Sequence, residues 1–299
     1  MKKNSIYETL ENRVVGISIS ESQDLAQLGM GNAHLVDVHV ELARHLLSYG
    51  SVLMYGGDLR ENGFTMNLFD LVESYIPSSI GRDRLSLINY LGWPLDSTLT
   101  EVMEAKLSGM IQFEKPGLPI DIVGNHRPKS YLPPKNPKHY YLWARSMSHM
   151  RNQMIKKNDA RVALGGRLTG FKGKYPGVVE EIYLSLKQEK PIYLIGAFGG
   201  ATKRVISALQ GGQPIELSDS FQSTQDVFKN NLNYYNSKIS KISKIDDKID
   251  YTKLVEFFNN KGVGSLNNGL TLDENKRLFS TPHIPEIVSL IIKGLVALG

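Results

Sequence analysis

The chain has no cysteine in 299 residues, which excludes disulfides, thiolate nucleophiles and zinc sites of the cysteine type and permits a reducing compartment. It also lacks a hydrophobic run of membrane-spanning length. The most apolar stretch, residues 287–299, is broken by Lys293 and falls short of the ~20 residues a span needs, so it is expected to form a buried helix. The opening residues MKKNSIYETLENRVVG contain no apolar run of signal-peptide length, so the expectation is a cytoplasmic protein without a membrane partner. Histidine spacing suitable for a metal is missing too. Among the seven histidines, His34, His39 and His45 lie five and six residues apart, intervals that do not share a helix face, and surface positions are expected for them. No metal and no cofactor is implied.

Charge of one sign is in only modest excess, with 35 Lys and Arg against 30 Asp and Glu. The resulting formal charge of +5 and pI near 9.1 come largely from a lysine-rich tract over 229–253, which reads as solvated surface. That distribution argues against a nucleic-acid partner, which needs a basic face on the folded core. What is present in quantity is core-forming material. A hydrophobic content of 41% over this length can bury a full core, and no internal repeat divides it.

The hydrophobic periodicity alternates between strand and helix. Strands are expected over 13–20, 51–55, 84–91, 159–164 and 191–195, and helices over 33–47, 64–75, 139–156 and 201–209. Trp143, Met147, Met150 and Met154 recur at spacings of four, three and four, with Arg151 at the edge of that stripe. The pattern between 111 and 132 is too mixed to assign. Alternation of this kind indicates a Rossmann-like, doubly wound, mostly parallel sheet with helices on both faces and a helical C-terminal extension. Residues 1–212 are expected to form this α/β domain, and 213–299 a polar, lysine-rich connection and a helical segment packed on it. Within the latter, Ile239, Ile242, Ile245 and Ile249 could line one helix face, and a last helix would turn Ile284, Ile287, Val288, Ile291 and Leu295 inward.

Four glycine or serine turns are expected at one edge of the sheet: 16–20, 56–58, 165–177 and 196–200. The third is the most informative. Gly165-Gly166 lets the chain turn after a buried strand, and Pro176 stands where a helix would begin. A helix N-terminus preceded by glycines favours an anion, and Arg151, Arg167, Lys172 and Lys174 add cations. Glu180 and Glu181 place carboxylates in the first helical turn, suited to ribose hydroxyls. They could equally serve only the helix dipole, and glycine turns can be plain scaffold. Asp58 could contact a ribose or cap the next turn. Arg60 is expected in solvent, and Tyr140, Tyr141 and Trp143 in the core, with base stacking as the lesser reading.

Three segments, in order, resemble a known family. MRNQM over 150–154, the strand with Gly165-Gly166 and PGVVEE over 176–181, together with YGGDLRENGFT over 55–65 and GISIS over 16–20, are similar to the LOG-type phosphoribohydrolases. The likeness covers roughly residues 11–210. It implies that Arg151 matches the family's catalytic arginine and Glu181 the glutamate closing its glycine motif, with Gly177 before the position of the family's threonine. Gly16, Ser18, Ser20, Gly56, Gly57, Asp58, Gly165 and Gly166 would complete the ligand site. Departures accompany the match: Leu164, Asn152 and Val178 stand where the family has proline, lysine and threonine, and residues 167–176 lengthen the loop. Val178 lacks the hydroxyl that would bond a phosphate, while Arg167, Lys172 and Lys174 suit a larger ligand.

This variant resembles the SLOG branch of the superfamily, which occurs in bacterial defence and nucleotide signalling, including Thoeris-type effectors that bind cyclic ADP-ribose isomers made by TIR proteins. The resemblance implies two functions. One is a sensor or sequestering module for an ADP-ribose-type second messenger, with Gly177, Val178, Glu180 and Glu181 among its contacts. The other is a hydrolase of a nucleotide's N-glycosidic bond, with Arg151 and Glu181 as the working pair. It also implies a homo-oligomer, dimer or tetramer, and a TIR or other effector as partner.

Overall fold

The computed structural model describes residues 10–61, 63–75, 85–122, 131–224, 226–242 and 247–299. Among them, β1 (Val14–Ser20), β2 (Val52–Gly56), β3 (Leu87–Tyr90), β4 (Ile111–Glu114), β5 (Ala160–Gly165) and β6 (Ile192–Ile195) form one all-parallel sheet in the order β4-β3-β2-β1-β5-β6. The chain therefore winds outward in one direction from β1 to β4, then crosses back to β5 beside β1 and winds the other way. The Rossmann-like architecture read from the alternation is borne out. The order reverses between β1 and β5, and in such sheets the crevice at the strands' carboxyl ends is the binding place.

Each face of the sheet is covered because the strands present different residues to its two sides. On one face Val15, Ile17, Ile19, Leu53 and Val162 pack under α1 (Asn32–Ser48), α2 (Phe64–Tyr75) and α11 (Ile284–Ala297). On the other, Val52, Met54, Ile88 and Tyr90 meet the stripe Trp143, Met147, Met150 and Met154 of α4 (Pro137–Lys157). Ala163, Ile192 and Leu194 meet α5 (Gly177–Lys187), α6 (Gly200–Leu209) and the later α8 (Asp226–Ile239) and α9 (Tyr251–Lys261). The intervening helices are α3 (Glu101–Leu107), α7 (Asp219–Gln222) and α10 (Leu272–Ser280). No helix of the described residues is long and apolar enough to cross a membrane.

Several expectations need correction. Residues 16–20 are not a turn: Gly16 lies inside β1, paired with Met54 and Arg161, and only Ser20 reaches the strand end. The isoleucines at 239, 242 and 249 do not share a helix. α8 stops at Ile239, and the Asn236 side chain then bonds both backbone groups of Ile249, holding the returning chain alongside at 2.8 and 3.0 Å. Ile245 lies outside the described residues, as do Asn62 and Arg84, the first residue of the expected third strand. His39 is not at the surface but fully buried, against Phe64 and Tyr55. It follows Val38 and stands four residues after Leu35, so it shares the apolar side of α1.

Candidate functional site

At the carboxyl edge of the sheet, a cleft of about 240 Å³ opens between the ends of β1 and β2, the N-terminus of α5 and the loop that joins β5 to α5. Ser20, Gly56, Gly57, Asp58, Arg151, Arg167, Lys172, Gly177, Val178 and Glu181 line it. Residues far apart in sequence thus meet because parallel strands end on the same edge and each hands the chain to a loop there.

The N-terminus of α5 is the electrostatic centre. The first N–H groups of a helix have no acceptor within it and carry the positive end of the dipole. Arg151 lies across this end: a Cβ at Gly177 would sit 2.8 Å from its Nη2 and one at Gly173 2.6 Å from its Nη1, so both glycines make room for the guanidinium. A cation at a positive helix end requires nearby negative charge. Glu180 supplies it at 2.5 Å from Nη1, and the Glu181 Oε1 lies 3.5 Å from Nε. Glu180 also accepts a hydrogen bond from the Ser148 hydroxyl, and these two residues line a neighbouring pocket rather than the cleft itself.

Glu181 is held from below by a residue that the sequence reading did not single out. Arg161 on β5 is fully buried and donates from Nη1 to the Glu181 Oε2 at 2.8 Å and to the Ser18 hydroxyl oxygen at 2.9 Å. Ser18 in turn donates to Oε2 at 2.5 Å. Gly16 belongs to the same arrangement, since a Cβ there would meet the Arg161 Nη2 at 2.6 Å. Gly16 and Ser18 therefore lie beneath the cleft and support Glu181. Burial lowers the pKa of Arg161 from its ordinary value, and the Glu181 charge opposes that shift. A signal was present in the sequence: an arginine inside the buried run ARVALG needs a carboxylate partner.

Gly165 and Gly166, with φ of +60° and +104°, form the joint between β5 and the start of α6. A Cβ on Gly165 would approach the Ser20 carbonyl oxygen to 2.7 Å and one on Gly166 the Ala201 Cβ to 2.7 Å. Lys174 points away from the cleft, to Asp247 at 2.5 Å. The other loop cations face it. Arg167 pairs with Glu21 at 2.7 Å, and its backbone N–H donates to the Ser20 hydroxyl oxygen at 2.9 Å. Burial pushes the Glu21 carboxyl up, but the hydrogen bonds from Arg167 and its own backbone outweigh it, and the net pKa falls below the ordinary value. Arg60 is exposed, as the sequence suggested, and pairs with Asp58 at 2.7 Å on the rim of the cleft. Lys172 places its ammonium 4.6 Å from the centre of the Trp143 ring, so that this otherwise buried tryptophan also forms part of the wall.

A doubly wound parallel sheet with a glycine-walled, arginine-bearing cleft at its switch point defines an α/β ligand-binding module of Rossmann-like class. The chain belongs to the SLOG cluster2 family, whose model matches residues 9–278. The match runs past residue 210, where the resemblance of the motifs ended, into α10. No curated protein matches the chain.

Proposed function

We propose that the cleft binds a nucleotide-derived ligand of ADP-ribose type, and that the protein senses or sequesters this ligand in bacterial anti-phage nucleotide signalling. The observation that carries the reading is Arg151 lying across the N-terminus of α5, where helix dipole, free N–H groups and guanidinium converge on one cleft wall. In the free protein Glu180 and Glu181 neutralise that wall; a ligand phosphate takes their place there, and the open edge of Glu181 accepts ribose hydroxyls. The rim pairs Arg60–Asp58 and Arg167–Glu21 offer two further guanidinium groups to a second phosphate. Val178 replaces the hydroxyl of a monophosphate pocket with an apolar wall. Signalling of this kind belongs in the cytoplasm, with a homo-oligomer, dimer or tetramer, and a TIR or other effector as partner.

Calorimetric titration with ADP-ribose and cyclic ADP-ribose isomers tests the reading. Arg151→Ala is expected to weaken binding by roughly 10- to 100-fold, the worth of one charge-assisted hydrogen-bonding group. No binding by any of these ligands at millimolar concentration would sink it. The hydrolase reading is favoured by the approach of Arg151 to Glu181 on the cleft wall. Against it, the Glu181 charge is shared between two arginines, leaving less to stabilise an oxocarbenium ion. Release of free base from ADP-ribose or a nucleoside monophosphate, lost in Glu181→Gln, would reverse the order of the two readings.

A further inference from the structure

The lengthened loop has a second side. Gly170, Phe171, Lys172 and Gly173 line the cleft on one side and, on the other, a cavity of about 260 Å³ with three tyrosines in its wall. Tyr140 and Tyr141 of α4 and Tyr235 of α8 face it, with Asn231 at its edge. This wall is held in place. The rings of Tyr141 and Tyr235 pack with centroids 5.4 Å apart, and the Tyr235 hydroxyl donates to Asp247 at 3.0 Å. Asp247 also takes Lys174, so the same carboxylate fixes the aromatic wall and the base of the loop.

We propose that this cavity is a second subsite, for an aromatic base, and that the ligand is a dinucleotide: two nucleosides joined through a diphosphate, one nucleoside in the cleft and the other base among the tyrosines. The inference rests on the phosphate-and-ribose reading of the cleft. Three features support it. The two cavities are separated by only four residues of the same loop. At the top of that partition stands Lys172, exposed and without a carboxylate partner among the described residues, placed to meet a diphosphate crossing from one side to the other. Beyond it the lining has no charged residue but Lys172 itself and offers tyrosine rings and the Asn231 amide, as a base needs for stacking and for hydrogen bonding along its rim. A ligand with a single base and a sugar at its other end would leave the aromatic cavity unused.

The test compares ADP-ribose with two diphosphate-bridged probes carrying a base at each end, NAD and diadenosine diphosphate, by calorimetry on the full chain. At least one two-base probe is expected to bind roughly tenfold or more tighter than ADP-ribose, the contribution of one stacked base. That advantage is expected to disappear in Tyr140→Ala, which removes a stacking surface, and in Asn231→Trp, which fills the cavity from its edge, while both variants keep wild-type affinity for ADP-ribose. If ADP-ribose binds and neither two-base probe gains, or if the gain survives both substitutions, the second subsite is overturned. If ADP-ribose and both probes all fail to bind, the reading of the cleft falls and the subsite with it.

Discussion

Arg161 and His39 show how single buried residues set the energetics around the site. Arg161 is fully enclosed, and its Nε and Nη2 have no hydrogen-bond partner among the described residues, so its charge is balanced chiefly through Glu181. Removing one partner of such a pair leaves a buried charge uncompensated. Arg161→Leu is expected to cost about 3 kcal/mol in urea unfolding and to abolish ligand binding by freeing Glu181. The double variant Arg161→Leu with Glu181→Gln is expected to recover much of the stability but none of the binding, which separates the two roles. Gly16→Ala should cost about 1–3 kcal/mol, because the buried guanidinium it would press on has little room to retreat. His39 acts through pH. Burial alone pushes its pKa down to about 3 from the usual 6.5, so the folded protein keeps it neutral while the unfolded chain protonates it. Its contribution is complete above the unfolded value and is lost as pH falls from about 6.5 towards 3, by at most about 1.4 kcal/mol for each pH unit. Carboxylates titrate over part of that range, so the measurement is a comparison: the urea midpoint of His39→Phe should fall less steeply than wild type between pH 6.5 and 4.5.

At the scale of elements, the loop between β5 and α5 works because it is fastened at its base and open at its tip. Lys174 reaches Asp247, and the Tyr175 hydroxyl exchanges hydrogen bonds with both backbone groups of Asp250 at 3.0 and 3.2 Å. Gly170, by contrast, has no neighbouring atom where a Cβ would stand. Asp247→Ala is therefore expected to speed backbone hydrogen exchange across residues 168–175 while β5 remains protected, and to weaken ligand binding. Unchanged exchange in the loop would show that Asp247 does not hold it. The contrast between β5 and this loop also marks what a sequence can reveal. The strands at 14–20, 52–56, 160–165 and 192–195 and the Trp-Met stripe of α4 were legible because period and apolar run are local properties. The four residues of β4 were not, since a short edge strand carries little burial pattern and prolines surround it. Nor was α10, whose buried residues are chiefly Leu278 and Phe279 on an otherwise polar helix. Arg151, Glu181 and the glycine segments could be picked out by motif, but the motif did not distinguish residues on the cleft wall from those beneath it. Lys174 read as a ligand cation because Asp247, 73 residues later, is invisible to any local pattern.

For the whole molecule, the question is whether residues 213–299 are an attachment or part of the folding unit. Leu278, Ile287, Val288, Ile291 and Leu295 enter the same core cluster as Val15, Ile17 and Leu35, and Tyr251, Leu254 and Phe258 enter that of Ala163 and Leu194. The segment thus covers both faces of the sheet at the β6 end: α11 packs on α1, α9 on α6, and α10 against β6 itself. The Tyr193 hydroxyl on β6 donates to the Asn268 carbonyl oxygen at 2.8 Å, and the Asn268 amide donates to the Ile192 carbonyl oxygen at 2.9 Å. A chain ending at residue 212 would leave these strand groups without partners and expose apolar surface on both faces at once, a loss that marginal stability does not tolerate. Its expected behaviour is aggregation or a non-cooperative melt, whereas the full chain should unfold in one transition. Leu35→Ala and Ile291→Ala, on opposite sides of the residue 212 boundary but in one core, should each shift that single transition by about 2–5 kcal/mol. Two separable transitions in the full chain, or a truncated chain that melts cooperatively and still binds ADP-ribose, would show instead that the cleft-bearing sheet folds on its own and that the C-terminal helices only dock upon it.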